Sequence, residues 1–250
     1  MQIILPLIIS TIAGLSTVLG ALIINLKIDS SKYSKFITFC LAFSAAVMIG
    51  ISIFDLIPES FFNYFYVNGF SKSIVLLIIA FILSYIVITF LSGLINKESK
   101  KEDLYRLGIL NMIVLIIHNL PEGIATFLSS YQSISLGLKL SVAIMLHNIP
   151  EGISIAVPIY YATKSKKEAY KKAFLSGIAE PIGAVLAFIF LKKYITDMTI
   201  SIILVIVAGL MITLAIQELV PKALKYNENK YLYLGLISGV VLVIINVCLF

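Results

Sequence analysis

Two six-residue segments carry most of the polar chemistry in this chain: HNLPEG at 118–123 and HNIPEG at 147–152, offset by 29 positions. They contain its only two histidines, His118 and His147. On a helix, residues at i, i+3 and i+4 share a face, so His118, Asn119 and Glu122 converge, as do His147, Asn148 and Glu151. Pro121 and Pro150 each remove a backbone N–H and free the carbonyl four residues earlier, and the following glycine permits close backbone approach. A free carbonyl beside an imidazole and a carboxylate suits a cation or a bound water.

Glu122, Glu151 and Glu180 all lie in apolar surroundings with no lysine or arginine nearby in sequence. A carboxylate in hydrocarbon costs several kcal/mol or more unless it is paired, protonated or metal-bound. With no ion-pair partner supplied, protonation or a cation remains, and the two are compatible, because a proton can replace a departing metal. Imidazole plus carboxylate suits Zn²⁺, Fe²⁺, Mn²⁺, Co²⁺ or Cd²⁺ better than Na⁺ or K⁺, and no well-placed thiolate indicates Cu⁺. Because neutral imidazole is the ligand, binding is expected to weaken in acid. Glu122 and Glu151 could each bridge two adjacent metal positions, one at the histidines and one at the asparagines.

Further polar residues fall around this centre. Glu180 precedes Pro181 and sits between Gly177 and Gly183, as a ligand or proton acceptor. Asn111 and Ser154 lie toward the cytoplasmic side of the motifs and could line an exit. Asp55 and Glu59 are placed to attract incoming cations, and Gln217 and Glu218 to assist release at the other face.

The elements that hold these residues are apolar helices. Of the 250 residues 60% are hydrophobic and 13% charged, whereas a soluble domain carries about 25% charge. Eight apolar segments stand out, at 3–25, 34–58, 73–95, 107–129, 136–160, 173–191, 198–221 and 231–249, each long enough to cross about 30 Å of hydrocarbon. Lipid cannot hydrogen-bond a backbone, so these must be helices: an all-α polytopic membrane protein, read as one domain over 1–250. The charged stretches at 96–106 and 161–172 read as cytoplasmic connections. With both termini outside, 15 of the 19 lysines and arginines fall in or beside cytoplasmic loops, as the positive-inside bias requires. This clustering accounts for the net charge of +6 without nucleic acid as a partner. Cys40 and Cys248 are isolated and form neither a disulfide framework nor a CxxC pair. The first lysine, Lys27, follows the first apolar run, so that run is expected to be a span and not a cleaved signal peptide.

A second internal symmetry has a shift of 163. Gly14, Thr17, Gly20 and Ala21 align with Gly177, Glu180, Gly183 and Ala184, and IFDLIPES (53–60) aligns with IQELVPKA (216–223). Spans 1–3 and 6–8 then have opposite orientations around an antiparallel central pair, a 3+2+3 inverted-repeat architecture of the transporter type. Metal carriage across the membrane by alternating access is the function this implies. An intramembrane metal-dependent hydrolase is the alternative, although no HExxH motif is present.

The paired HNxPEG motifs, the GLSTVLGAL of the first span and the later AEPIGA together resemble the ZIP (Zrt/Irt-like) metal transporter family, especially its compact ZupT/GufA-like prokaryotic branch, over essentially the whole chain. The resemblance implies uptake of divalent metal across the cell membrane into the cytosol, usually zinc, with iron, manganese, cobalt or cadmium in some members, and no catalytic cofactor. It implies a binuclear centre: His118, Glu122, His147 and Glu151 at one position, and Asn119, Glu122, Asn148, Glu151 and Glu180 at its neighbour. It also implies a homodimer in which spans 1, 4, 5 and 6 move against 2, 3, 7 and 8. The fifth span carries His147 and Asn148 where some relatives have aspartate or glutamine.

Overall fold

The computed structural model describes residues 3–98, 103–191 and 197–249, and every regular element among them is helical. Among the described residues, eight helices are long and apolar enough to cross a membrane: span 1 (Ile4–Asn25), span 2 (Ser30–Asn68), span 3 (Phe70–Ile95), span 4 (Asp103–Tyr131), span 5 (Ile134–Thr163), span 6 (Lys166–Ile189), span 7 (Ser201–Leu224) and span 8 (Asn229–Leu249). Span 5 is the most buried, and spans 3 and 8 are the least. The radial pattern is that of a protein built for lipid. Serines, threonines and asparagines such as Ser10, Thr17, Ser44, Ser84 and Asn111 are buried, whereas Ile78, Ile82, Ile86 and Phe90 of span 3 and Ile237, Val240 and Ile244 of span 8 face outward. Small and polar residues allow close helix approach and interhelical hydrogen bonds, and in a bilayer the outward isoleucines cost nothing.

Two expected boundaries are corrected. Span 2 does not stop at 58 but continues to Asn68. A π turn at Ser52–Leu56 precedes Pro58, which then occupies the first turn of the next helical segment, where a missing N–H is harmless. The chain turns into span 3 only at Gly69, whose φ of 80° favours glycine. The charged stretch 161–172 is also largely helical. Only Lys164, in the left-handed conformation, and Ser165 interrupt it. The Ser165 side chain accepts from the Glu168 N–H at 3.3 Å, so the charged turn from Lys166 starts span 6 rather than forming a loop.

Close glycine approaches join spans 1, 4, 5 and 6 into one set and leave spans 2, 3, 7 and 8 outside it. Gly14 meets Gly177, Gly20 meets the Ile149 carbonyl, Gly152 meets that of Thr17, Gly123 that of Glu180 and Gly183 that of Leu120, joining spans 1, 4, 5 and 6. Gly50, Gly235 and Gly239 join span 2 to span 8, and Gly209 joins span 7 to span 3. None of these approaches crosses from one set to the other. Polar bridges do cross, including Ser44 Oγ donating to the Pro150 carbonyl at 2.7 Å.

Candidate metal centre

Spans 4 and 5 pack antiparallel, as shown by contacts that run in opposite senses along them. Asn111 Nδ2 donates to the Ser154 carbonyl at 2.8 Å, and Gly137 lies against Ser130 at the far end. Between those two contacts the HNxPEG segments face each other. Their prolines lie inside continuous helices, so the motif residues keep helical spacing and point into the seam.

Glu122 Oε1 lies 3.1 Å from His118 Nε2 and 2.8 Å from His147 Nε2, and Glu151 Oε1 lies 3.4 Å from His118 Nε2. Ligand atoms of His118, His147 and Glu151 all fall within 4.8 Å of one another. None of the four side chains is more than 4% exposed. Among the described residues, neither oxygen of Glu151, nor Glu122 Oε2, nor either Nδ1 has a hydrogen-bond partner. Two carboxylates and two imidazoles converge, and among the described residues no lysine or arginine is paired with them. That donor set, with its buried acceptors unsatisfied, fits a borderline divalent cation held by nitrogen and oxygen.

The asparagines form a neighbouring layer. Asn148 Nδ2 donates to the Ala13 carbonyl at 3.0 Å and to Glu180 Oε1, while Asn119 Nδ2 donates to the Ser176 carbonyl at 3.3 Å. Asn148 thus turns its donors to spans 1 and 6 and Asn119 to span 6, and among the described residues the Oδ1 of each, like Glu180 Oε2, is unpartnered. Ser10 Oγ donates to the Glu180 carbonyl at 3.4 Å, fixing span 6 against span 1.

The flanking residues distribute differently. Asn111 and Ser154 are fully buried and engaged, Asn111 in the bond between spans and Ser154 Oγ with the Glu151 carbonyl at 2.7 Å. Asp55, half-buried, lines a cavity of about 240 Å³ with Lys139, Leu140 and Asn246. The side chain of Glu59 lies outside the described residues. Gln217 is half-buried. Glu218 is held by Arg106, with Nη2–Oε2 at 2.8 Å and Nη1–Oε1 at 3.3 Å, and by Ser92 Oγ at 2.7 Å.

Sequence reasoning passed over Asn246, Arg106 and Lys139 as site residues. Asn246 is 4% exposed with an unpartnered Oδ1, and it lines both the Asp55 cavity and a smaller crevice that reaches His147. Its signal was available: it is a carboxamide in the apolar second half of the last span.

A bundle of eight apolar helices around a buried His/His/Glu centre defines a membrane protein that handles metal ions. The family described as ZIP zinc transporter matches residues 95–246. The chain is 38% identical to a zinc transporter ZupT of Oceanobacillus iheyensis, covering 98% of this chain and 97% of that protein. It is 37% identical to one of Streptococcus mutans (97% and 96%) and 34% identical to one of Clostridium perfringens (100% and 97%). The chain belongs to the ZIP family, on its ZupT-like branch. It is therefore a multi-pass transporter of divalent metal in the cell membrane and not an enzyme, which sets aside the hydrolase alternative.

Proposed function

We propose that the protein takes up zinc into the cytosol by alternating access, with His118, Glu122, His147 and Glu151 as the primary ligands. The observation that carries this reading is the position of Glu122 Oε1 between the two imidazoles, with Glu151 closing the set and no lysine or arginine paired with it among the described residues. Asn119, Asn148 and Glu180, whose free oxygens lie in the adjacent layer, form a second position that shares Glu122 and Glu151. Iron, manganese, cobalt and cadmium are competing cargoes, because the same nitrogen and oxygen donors accept them.

The architecture is read as an inverted repeat of spans 1–3 and 6–8 about spans 4 and 5, with both termini outside, in one domain over 1–250. Paired contacts support it. Asn119 bonds the Ser176 carbonyl as Asn148 bonds that of Ala13, Gly123 rests on Glu180 as Gly152 rests on Thr17, and Gly183 rests on Leu120 as Gly20 rests on Ile149. In each case one partner is displaced by 29 residues and the other by 163. The π turns at Ser52–Leu56 and Ala215–Leu219 are also 163 apart. Symmetry of this kind lets one centre face either side by exchanging the roles of two halves.

Vesicles containing the purified protein and a metal-sensitive dye test the reading. External Zn²⁺ is expected to give protein-dependent uptake, with Mn²⁺, Fe²⁺ and Co²⁺ compared in parallel. No uptake by folded, inserted protein would contradict it. Binding is checked separately by thermal unfolding. A hundredfold excess of Zn²⁺ over its dissociation constant is expected to stabilise the wild type by about 2.7 kcal/mol. The His118→Ala/His147→Ala double variant is expected to show no such rise.

A further inference from the structure

The boundary between the two sets of spans is closed at one end and open at the other. Near the motif-distal start of span 4, Arg106 makes its two-armed bond to Glu218 of span 7, and Ser92 of span 3 bonds both partners, at 2.9 Å from Arg106 and 2.7 Å from Glu218. Lys222 of span 7 adds a 2.9 Å bridge to Asp103 of span 4. At the opposite end, the cavity of about 240 Å³ between spans 2, 5 and 8 is lined by Asp55 of span 2 and Lys139 of span 5, and no ion pair joins them among the described residues.

Two relationships connect these ends. Asp55 and Glu218 occupy the same place in their π turns, Ser52–Leu56 and Ala215–Leu219, and each is followed three residues on by a proline, Pro58 or Pro221. Arg106 and Lys139 both precede the motif of their own central span, by 12 residues before His118 and by 8 before His147. Spans 4 and 5 run antiparallel, so these cations flank the metal centre on opposite sides. Lys139 is exposed beside that cavity. An ammonium at the mouth of a divalent-cation path opposes the incoming ion, unless its task is to meet Asp55 when that mouth shuts.

We propose that Asp55 and Lys139 are the outer counterpart of the Arg106–Glu218 pair and that the two ion pairs form alternately, each sealing its end while the other end is open. The proposal rests on the alternating-access reading above and names the residues that position the two sets at either end. In the conformation described the inner pair is made. Turning the centre to the cytosol breaks it, releases Arg106 and Glu218, and brings Lys139 onto Asp55.

The test reads the outer cavity while the charges at the inner end are changed. In a Cys40→Ala/Cys248→Ser background, Leu140→Cys places one thiol in the outer cavity, and its maleimide labelling rate is followed in lipid nanodiscs. Glu218→Gln is expected to slow labelling on the order of fivefold, since a partly exposed ion pair contributes about 1 kcal/mol to the state that contains it. Adding Lys139→Gln to Glu218→Gln is expected to restore the rate, because the outer pair can no longer hold the cavity shut. Arg106→Lys, which keeps the charge but loses the fork, is expected to fall between wild type and Glu218→Gln and serves if that variant does not fold. A purely local packing role at either end would not couple the two. Labelling indifferent to Glu218→Gln and Arg106→Lys, or slowing that Lys139→Gln does not reverse, overturns the proposal. Zn²⁺ uptake by wild-type vesicles is measured alongside. Absence of uptake overturns the transport reading itself, whereas uptake with unresponsive labelling overturns only the gates.

Discussion

Replacing Glu122 by glutamine is expected to lower metal uptake by at least about 100-fold while leaving the protein folded and inserted. Outer-layer partners of a metal already cost roughly 10–100-fold when removed, and Glu122 is proposed as a direct ligand. Its Oε1 faces His118 and His147 at 3.1 and 2.8 Å, so one substitution removes the anion that both halves of the centre share. The amide is nearly isosteric, so the seam between spans 4 and 5 keeps its packing. It also removes a buried charge that, in the metal-free protein, has one oxygen without a hydrogen bond. Glu122→Gln is therefore expected to unfold no earlier than wild type without metal and to lose the stabilisation that added Zn²⁺ confers. Uptake in dye-loaded vesicles and thermal unfolding with and without Zn²⁺ measure both effects. Uptake within a few-fold of wild type would remove Glu122 from the ligand set.

Substituting valine for Gly123 is expected to have the largest effect on folding. A Cβ at this position would land on the Glu180 carbonyl, a backbone atom that cannot turn aside. Spans 4 and 6 would have to separate, and overpacking of this type costs about 3 kcal/mol or more when the obstructing group is rigid. Separation also carries Glu180 away from Asn148, so any protein that survives is expected to bind metal poorly. Gly93 provides the control. It lies in span 3 with open space around it, and Gly93→Ala is expected to be neutral or to stabilise by about 0.5–1 kcal/mol. Yield of monodisperse protein and its unfolding temperature in detergent distinguish the two. Equal tolerance at both positions would contradict the close approach of spans 4 and 6.

The centre was legible in the sequence because lipid makes polarity conspicuous. His118, Glu122, His147 and Glu151 stand out in a run of leucine and isoleucine, and helical spacing determines which side chains share a face. The eight apolar runs were legible for the same reason, but their ends were not. Span 2 runs on to Asn68 because a π turn absorbs the strain before Pro58, and hydropathy carries no trace of that turn. The start of span 6 was written in the S-x-x-E of Ser165 and Glu168, a local capping signal masked by the surrounding lysines. Arg106 with Glu218 could not be read from either residue alone. They lie 112 positions apart, and only the packing of spans 3, 4 and 7 brings them together. Asn246 was visible as a polar residue in an apolar helix, but its proximity to Asp55 and His147 depends on how span 8 lies against spans 2 and 5.

X-ray absorption at the zinc edge of protein loaded with one equivalent of Zn²⁺ tests the central claim most directly. The two imidazoles and two carboxylates brought together by spans 4 and 5 predict a nitrogen and oxygen shell at about 2.0–2.1 Å, with the outer scattering of two histidine rings. That ring signal is expected to halve in either His118→Ala or His147→Ala alone, and to vanish when both are replaced. An oxygen-only shell, or ring scattering unchanged by either substitution, would contradict a cargo site built from the paired motifs.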